Sequence, residues 1–285
     1  MLFILSVMTT PLNRGRLLCK VARWGADTDS DGLQAAAVIA AMLNSGDERT
    51  ATASLVSAGN SFRAIAFDRL NEVDFVGSGC KGTRASPETA ESVTSAEELM
   101  SRTQLVDFGE CDAFVSHSWR DPNLPKWEAL SEWSTQRQID KGGKPALLWL
   151  DKACVDQTDI KRSLAGLPIF LAGCDNLLVL AGESYTTRLW CVLELFVFLH
   201  MGGTRDRLCV VPLASRVGVS KDERALQEAM VMARLRRVDV AQAECYLPED
   251  KERILSVIES SYGTCEAFNA ELQRTEDTKI FIEIY

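Results

Sequence analysis

Residues 189–201 read LWCVLELFVFLHM, where only Glu194 and His200 interrupt eleven apolar residues. A helix that is apolar on every face belongs in a core. An ionised carboxylate inside one costs several kcal/mol unless it is paired or its pKa rises. Two readings of Glu194 follow. In one it pairs with a lysine or arginine, or reaches solvent at the helix edge. In the other it is a working carboxylate in a dry pocket, and perturbed acids of that kind cluster at functional sites.

Polar groups that could serve such a carboxylate follow short apolar runs. They are residues 116–120 (SHSWR), 151–156 (DKACVD) and the loop 181–188. His117, Ser118, Trp119 and Asp151 are candidate substrate contacts. Trp190, one helical turn before Glu194, is another, and Trp119 or Trp190 could stack on an aromatic ring of a substrate. Trp127, Trp133 and Trp149 read as core packing. A different chemistry would use Cys154 as nucleophile and His117 as base, but the sequence around the cysteine has no papain-like or caspase-like context. Neither GxxxxGK[ST] nor GxGxxG follows any apolar run, which removes the usual phosphate-binding loops.

The elements that must position these groups alternate. Residues 112–116 form a short apolar run, and Leu124, Trp127, Leu130 and Trp133 follow at helical spacing. Gly142, Gly143 and Pro145 break the chain before the apolar run 146–150. Ile160, Leu164, Leu167 and Leu171 make a helical face bent at Pro168. A third strand is expected at 177–180, a fourth at 208–211 and a short fifth around Val238 and Val240. Ser95 with Glu98, and Ser220 with Glu223, have capping-box spacing. Strands alternating with helices predict an α/β fold, a parallel sheet with helices on both faces. Ligands then bind outside the carboxyl ends of the strands, where the three polar segments arrive.

Before this unit the pattern differs. Residues 1–109 read as a partly irregular N-terminal extension that packs on or regulates the α/β domain at 110–272, and 273–285 as a tail. The extension holds a short helix at 35–42 and a Gly/Ser/Thr-rich linker at 77–87. Arg14, Arg16, Lys20 and Arg23 precede any acidic residue, a pattern shared by organelle transit peptides and irregular tails.

Forty Asp and Glu against 31 Lys and Arg leave a net charge of −9, which argues against non-specific nucleic-acid binding. Nine cysteines include no CxxC pair and there are only two histidines, so zinc spacings are absent and no metal is expected. Free thiols fit a reducing cytoplasm. No apolar stretch reaches the roughly 20 residues that span a bilayer.

Four segments in order carry a resemblance: 111–120 (CDAFVSHSWR), 148–151 (LWLD), 176–180 (NLLVL), and Tyr185 through Trp190-Cys-Val-Leu-Glu194-Leu. Together they resemble a TIR (Toll/interleukin-1 receptor) domain over residues 110–215, with a weaker continuation to 272. Residues 149–157 (WLDKACVDQ) are also similar to a motif of fungal heterokaryon-incompatibility domains. The TIR resemblance implies a flavodoxin-like fold used in immune, stress or cell-death signalling through self-association. In many members it also implies NAD cleavage by a glutamate four residues after a tryptophan, the spacing of Trp190 and Glu194. NAD would then be substrate rather than cofactor. Two departures stand out: no glycine in the loop 151–159, and His117-Ser118-Trp119 where NAD-cleaving relatives often carry aromatic and basic residues. The alternative the family leaves open is a non-catalytic self-association module, because fold alone does not give function.

Overall fold

A computed structural model describes residues 57–76, 94–155, 166–214, 218–245 and 247–277. The basic segment before Asp27, the helix at 35–42, the linker at 77–87, Ile160, Leu164 and the tail beyond 277 lie outside the described residues.

The sheet has six strands: β1 (Arg63–Ala66), β2 (Gln104–Leu105), β3 (Cys111–His117), β4 (Leu147–Trp149), β5 (Cys174–Ala181) and β6 (Leu208–Pro212), ordered β2-β1-β4-β3-β5-β6. From β4 to β6 all pairings are parallel, and β1 joins β4 antiparallel. The fold is therefore α/β with a mostly parallel sheet, compatible with the flavodoxin-like class. Every residue of β3 is buried, as expected of a parallel strand covered on both faces.

β3 is followed by α2 (Asn123–Asp140), β4 by α3 (Asp151–Cys154) and α4 (Leu167–Gly173), and β5 by α5 (Leu189–His200). Farther on lie α6 (Lys221–Leu235), α7 (Pro248–Tyr262) and α8 (Cys265–Asp277), while α1 (Ala96–Ser101) precedes β2. Ser95 caps α1 by accepting from the Glu98 amide, and Ser220 with Glu223 closes a full capping box on α6. Pro168 does not bend a longer helix. It sits in the first turn of α4, where a missing N–H costs nothing. Gly143, at φ 95°, ends α2 and returns its amide to Gln138. The expected strand at Val238 and Val240 is a turn instead. Val240–Gln242 is a 3-10 helix capped by the Asp239 side chain, and the two valines are buried without pairing.

Residues from the extension are built into this sheet. Ile65 and Ala66 pair with Leu148 and Leu147, and Phe75 is buried against His117 and Trp127. A boundary at 109/110 therefore cuts through one hydrophobic core. Asp112, 2% exposed, ties the start of β3 to Arg137 at 2.9 Å, Lys141 at 2.6 Å and the Leu147 amide at 2.8 Å, a buried acid whose charge is fully matched.

A chain beginning at Glu110 would lose both antiparallel strands and Phe75, whose burial alone is worth about 1.5–3 kcal/mol. It is expected to give no cooperative thermal transition by circular dichroism. A melt as sharp as that of the full chain would show that 110–285 folds alone.

Candidate functional site

In sheet order β4-β3-β5-β6, the chain winds one way from β3 to β4 and the other way to β5. The crevice between the carboxyl ends of β3 and β5 is thus the topological switch point, where open α/β sheets bind ligands. His117 and Leu180 are register partners there, and the chain leaves through Ser118 and Gly182. Gly182 is required by close packing, since a Cβ there would lie 2.2 Å from Asp121 Cγ. Asp121 Oδ1 accepts from the Ser184 amide (2.9 Å) and hydroxyl (2.8 Å), pinning the loop that leads into α5. Burial pushes the Asp121 carboxyl up despite these bonds. The entry to α5 is fixed again by the Leu189 amide on the Glu244 carbonyl (3.0 Å) and by the Cys191 thiol on the His117 carbonyl (3.4 Å).

This scaffold brings Glu194 to the switch point. Its Oε2 lies in a short hydrogen bond with the Ser116 hydroxyl, on the last turn of strand before the crevice. Ser116 Oγ in turn lies 2.6 Å from the Tyr185 hydroxyl, which is 3.3 Å from the Cys191 carbonyl. Glu194 has no ion-pair partner among the described residues. Desolvation raises its pKa well above the ordinary glutamate value, the Ser116 bond opposes the rise, and the Asp151 carboxylate adds to it. The rest of α5 is nearly all buried, but Trp190 and Glu194 are only partly so. They lie one turn apart on one face of the helix.

Asp151 starts α3 at the end of β4. Its Oδ2 accepts from Trp119 Nε1 (2.8 Å) and its Oδ1 from the Lys152 amide (2.6 Å). Desolvation raises its pKa too, but Trp119, Lys126 and Lys152 favour the charged form. Lys126 is fully buried and donates to the Ser118 carbonyl at 3.2 Å. Lys152 donates to the carbonyls of Asp74 (3.3 Å) and Val76 (3.1 Å). Both ammonium groups lie over the Trp119 ring, at 5.4 and 5.6 Å from its centroid. Two neighbouring carboxyls with unequal surroundings separate into two roles. Asp151 has cations and an indole N–H to hold its charge, whereas Glu194 has one hydroxyl.

The other sequence candidates are placed differently. Ser118 is buried and engaged by Ser184 (2.7 Å) and the Arg120 amide (3.2 Å), so it shapes the loop rather than facing the crevice. His117 is buried on the opposite side of β3 from Ser116, edge-on to Phe75 and Trp119, and its Nε2 has no hydrogen-bond partner. Desolvation, then Lys126, hold its pKa well below the ordinary histidine value, so the ring is neutral. Cys154 is not joined to it. Burial keeps that thiol protonated, with its pKa far above the usual range, the reverse of an activated nucleophile. Sequence reasoning missed Ser116, Tyr185 and Lys126. Ser116 stood in the quoted motif, and its place directly before the strand end was the available signal.

Compared with protein-family models, curated proteins and solved structures, the chain matches none. Among the described residues, no helix is long and apolar enough to cross a membrane.

Asp151→Asn removes the like charge beside Glu194. It should lower the pH at which Glu194 titrates, read from the infrared carboxyl band that Glu194→Gln abolishes. An unmoved band would show that the Asp151 charge is not felt at Glu194.

Proposed function

We propose that the chain is a TIR-like signalling domain that cleaves NAD to nicotinamide and ADP-ribose, with Glu194 as the catalytic carboxylate. The observation that carries this reading is an acid without a counter-cation among the described residues, at the switch point of the sheet, with Oε2 held by Ser116 and Oε1 accepting from no described group. In the proposed reaction the bond from ribose C1′ to the nicotinamide nitrogen breaks, and its electron pair neutralises the positive ring. Because the leaving group needs no acid, what helps is negative charge beside the oxocarbenium-like C1′. Oε1 of Glu194 supplies it. Water then adds to C1′ and releases a proton. Trp190 flanks the same face and offers a ring for stacking, while Trp119, clamped by Asp151, forms a wall rather than a mobile cover. The reading places the protein in the cytoplasm, where NAD is present and thiols stay reduced, with homotypic contacts concentrating the domain.

A second reading, a self-association module without catalysis, is favoured by α6. Leu226 is 62% exposed and Met230, one turn on, 50%, an apolar strip of the kind that marks contact surfaces.

Purified full-length protein, dilute and artificially clustered, should release nicotinamide from NAD, and Glu194→Gln should reduce release at least 100-fold. A folded, clustered wild type that releases none contradicts the enzyme reading and supports the module. Because Glu194 must be ionised, activity should fall as pH drops through a midpoint above the ordinary glutamate range; a midpoint in that ordinary range would contradict the site's electrostatics.

The stability sign is the opposite of a salt-bridged acid. A carboxyl whose folded pKa is raised is most favourable to folding below its unfolded value, and that contribution is lost as pH rises toward the folded value. Glu194→Gln should therefore gain on wild type across that window, most at its upper end. Parallel melting temperatures at all pH values would contradict this.

A further inference from the structure

The contacts around Glu194 specify more than one acid. Ser116 and Tyr185 are both fully buried, and each hydroxyl has a single proton to donate. With Glu194 ionised, only one arrangement serves the carboxylate: Ser116 donates to Oε2, and Tyr185 donates to Ser116 Oγ, from 2.6 Å. Tyr185 then gives up the longer bond to the Cys191 carbonyl at 3.3 Å. With Glu194 protonated the direction reverses: Glu194 donates to Ser116, Ser116 to Tyr185, and Tyr185 to the Cys191 carbonyl. The three side chains thus form one chain with two polarities, and the charge on the carboxylate selects between them.

We propose that Ser116 and Tyr185 are positioning residues that fix Oε2 of Glu194 and favour its ionised form, leaving Oε1 as the oxygen that meets substrate. This rests on the reading of Glu194 as the catalytic group and adds the device that keeps it usable. The need for such a device follows from the surroundings. From α3 the carboxylate faces Asp151, from its own helix the Cys191 thiol, and from the 3-10 turn at Tyr185–Thr187 the Tyr185 phenol. From β3 it faces Ser116, with His117 turned to the other side of the sheet. α4, which packs on α5, carries no ionisable side chain, and α7, which also packs on α5, carries Lys251 and Arg253 among its charged residues, none of which acts on Glu194. No cation among these neighbours acts on the carboxylate, so the Ser116 hydroxyl is the group that favours the charge. A hydrogen bond to an ionised acceptor is among the stronger ones, and a second hydroxyl donating into it strengthens it further.

The polarity of the chain explains why the inner member is a tyrosine. Its ring fills the core beneath the loop while its hydroxyl reaches both Ser116 and the Cys191 carbonyl. Its own proton stays in place, because burial pushes the phenol pKa well up. It is a donor that does not compete for the charge.

The test is infrared titration of Glu194 in the full-length protein, using the carboxyl band absent from Glu194→Gln. Ser116→Ala should move the midpoint upward by about one to two pH units. Tyr185→Phe should move it upward by a few tenths of a unit, and Ser116→Thr, which keeps the hydroxyl, should restore the wild-type value. If Ser116→Ala fails to fold, Ser116→Cys, a weaker donor, should give an intermediate upward shift. A midpoint that is unmoved or lowered in Ser116→Ala, or unmoved in Tyr185→Phe, would overturn the relay. Because this readout needs no turnover, it separates the two proposals. A shifted band in a protein that never releases nicotinamide removes the enzyme reading alone, while release with an unshifted band removes the relay alone.

Discussion

The hydrogen bond between Ser116 and Glu194 crosses from the last residues of a central strand to the middle of the helix that follows its neighbour. It ties the sheet's carboxyl edge to the interior of α5, and much of the surrounding structure serves it. Gly182 lets Asp121 approach the loop, Asp121 pins Ser184, and Cys191 and Leu189 anchor the first turn of α5. Moving any of these would move Glu194 relative to the crevice, because most of α5 is held by apolar packing.

Two acids in this protein, Asp112 and Glu194, show how charge matching and function part company. Asp112 is closed by Arg137, Lys141 and a backbone amide, so its charge holds α2 against the start of the sheet. Glu194 has one hydroxyl and a neighbouring carboxyl of the same sign. The cations at the carboxyl edge, Lys126 and Lys152, are drawn instead to Asp151, Trp119 and backbone carbonyls. Positive charge is therefore on the β4 side of the crevice, and Glu194, once ionised, puts negative charge on the β5 side. A substrate that gains positive character beside β5 would be stabilised there.

Much of this was legible in the sequence where periodicity is strong. The four parallel strands, α2, α5 and both serine caps follow from apolar runs and turn residues. The odd carboxylate in α5 was visible because nothing else in that run is charged. What stayed hidden depended on long-range pairing. β1 and β2 are too short to show alternation, so residues 57–76 read as a separate extension although they complete the sheet and bury Phe75 against His117. Val238 and Val240 have the composition of a strand, yet Asp239 between them caps a turn. Ser118 and His117 have the chemistry of contacts, but Ser118 is consumed in the loop and His117 is packed on the other face of β3, a matter of side-chain direction. Ser116 and Tyr185, far apart in sequence, become partners only when β3 and the loop before α5 come together.

The most direct test is carbon-13 NMR of the Glu194 carboxyl, assigned by its loss in Glu194→Gln, while a carbocyclic NAD analogue that resists cleavage is added. The account predicts a saturable shift of that resonance, because C1′ would be set against Oε1, and no such response in Trp190→Ala if that ring orients the nucleotide. Saturable binding of the analogue that leaves the Glu194 resonance unmoved would contradict the claim that this carboxylate is the group acting on NAD.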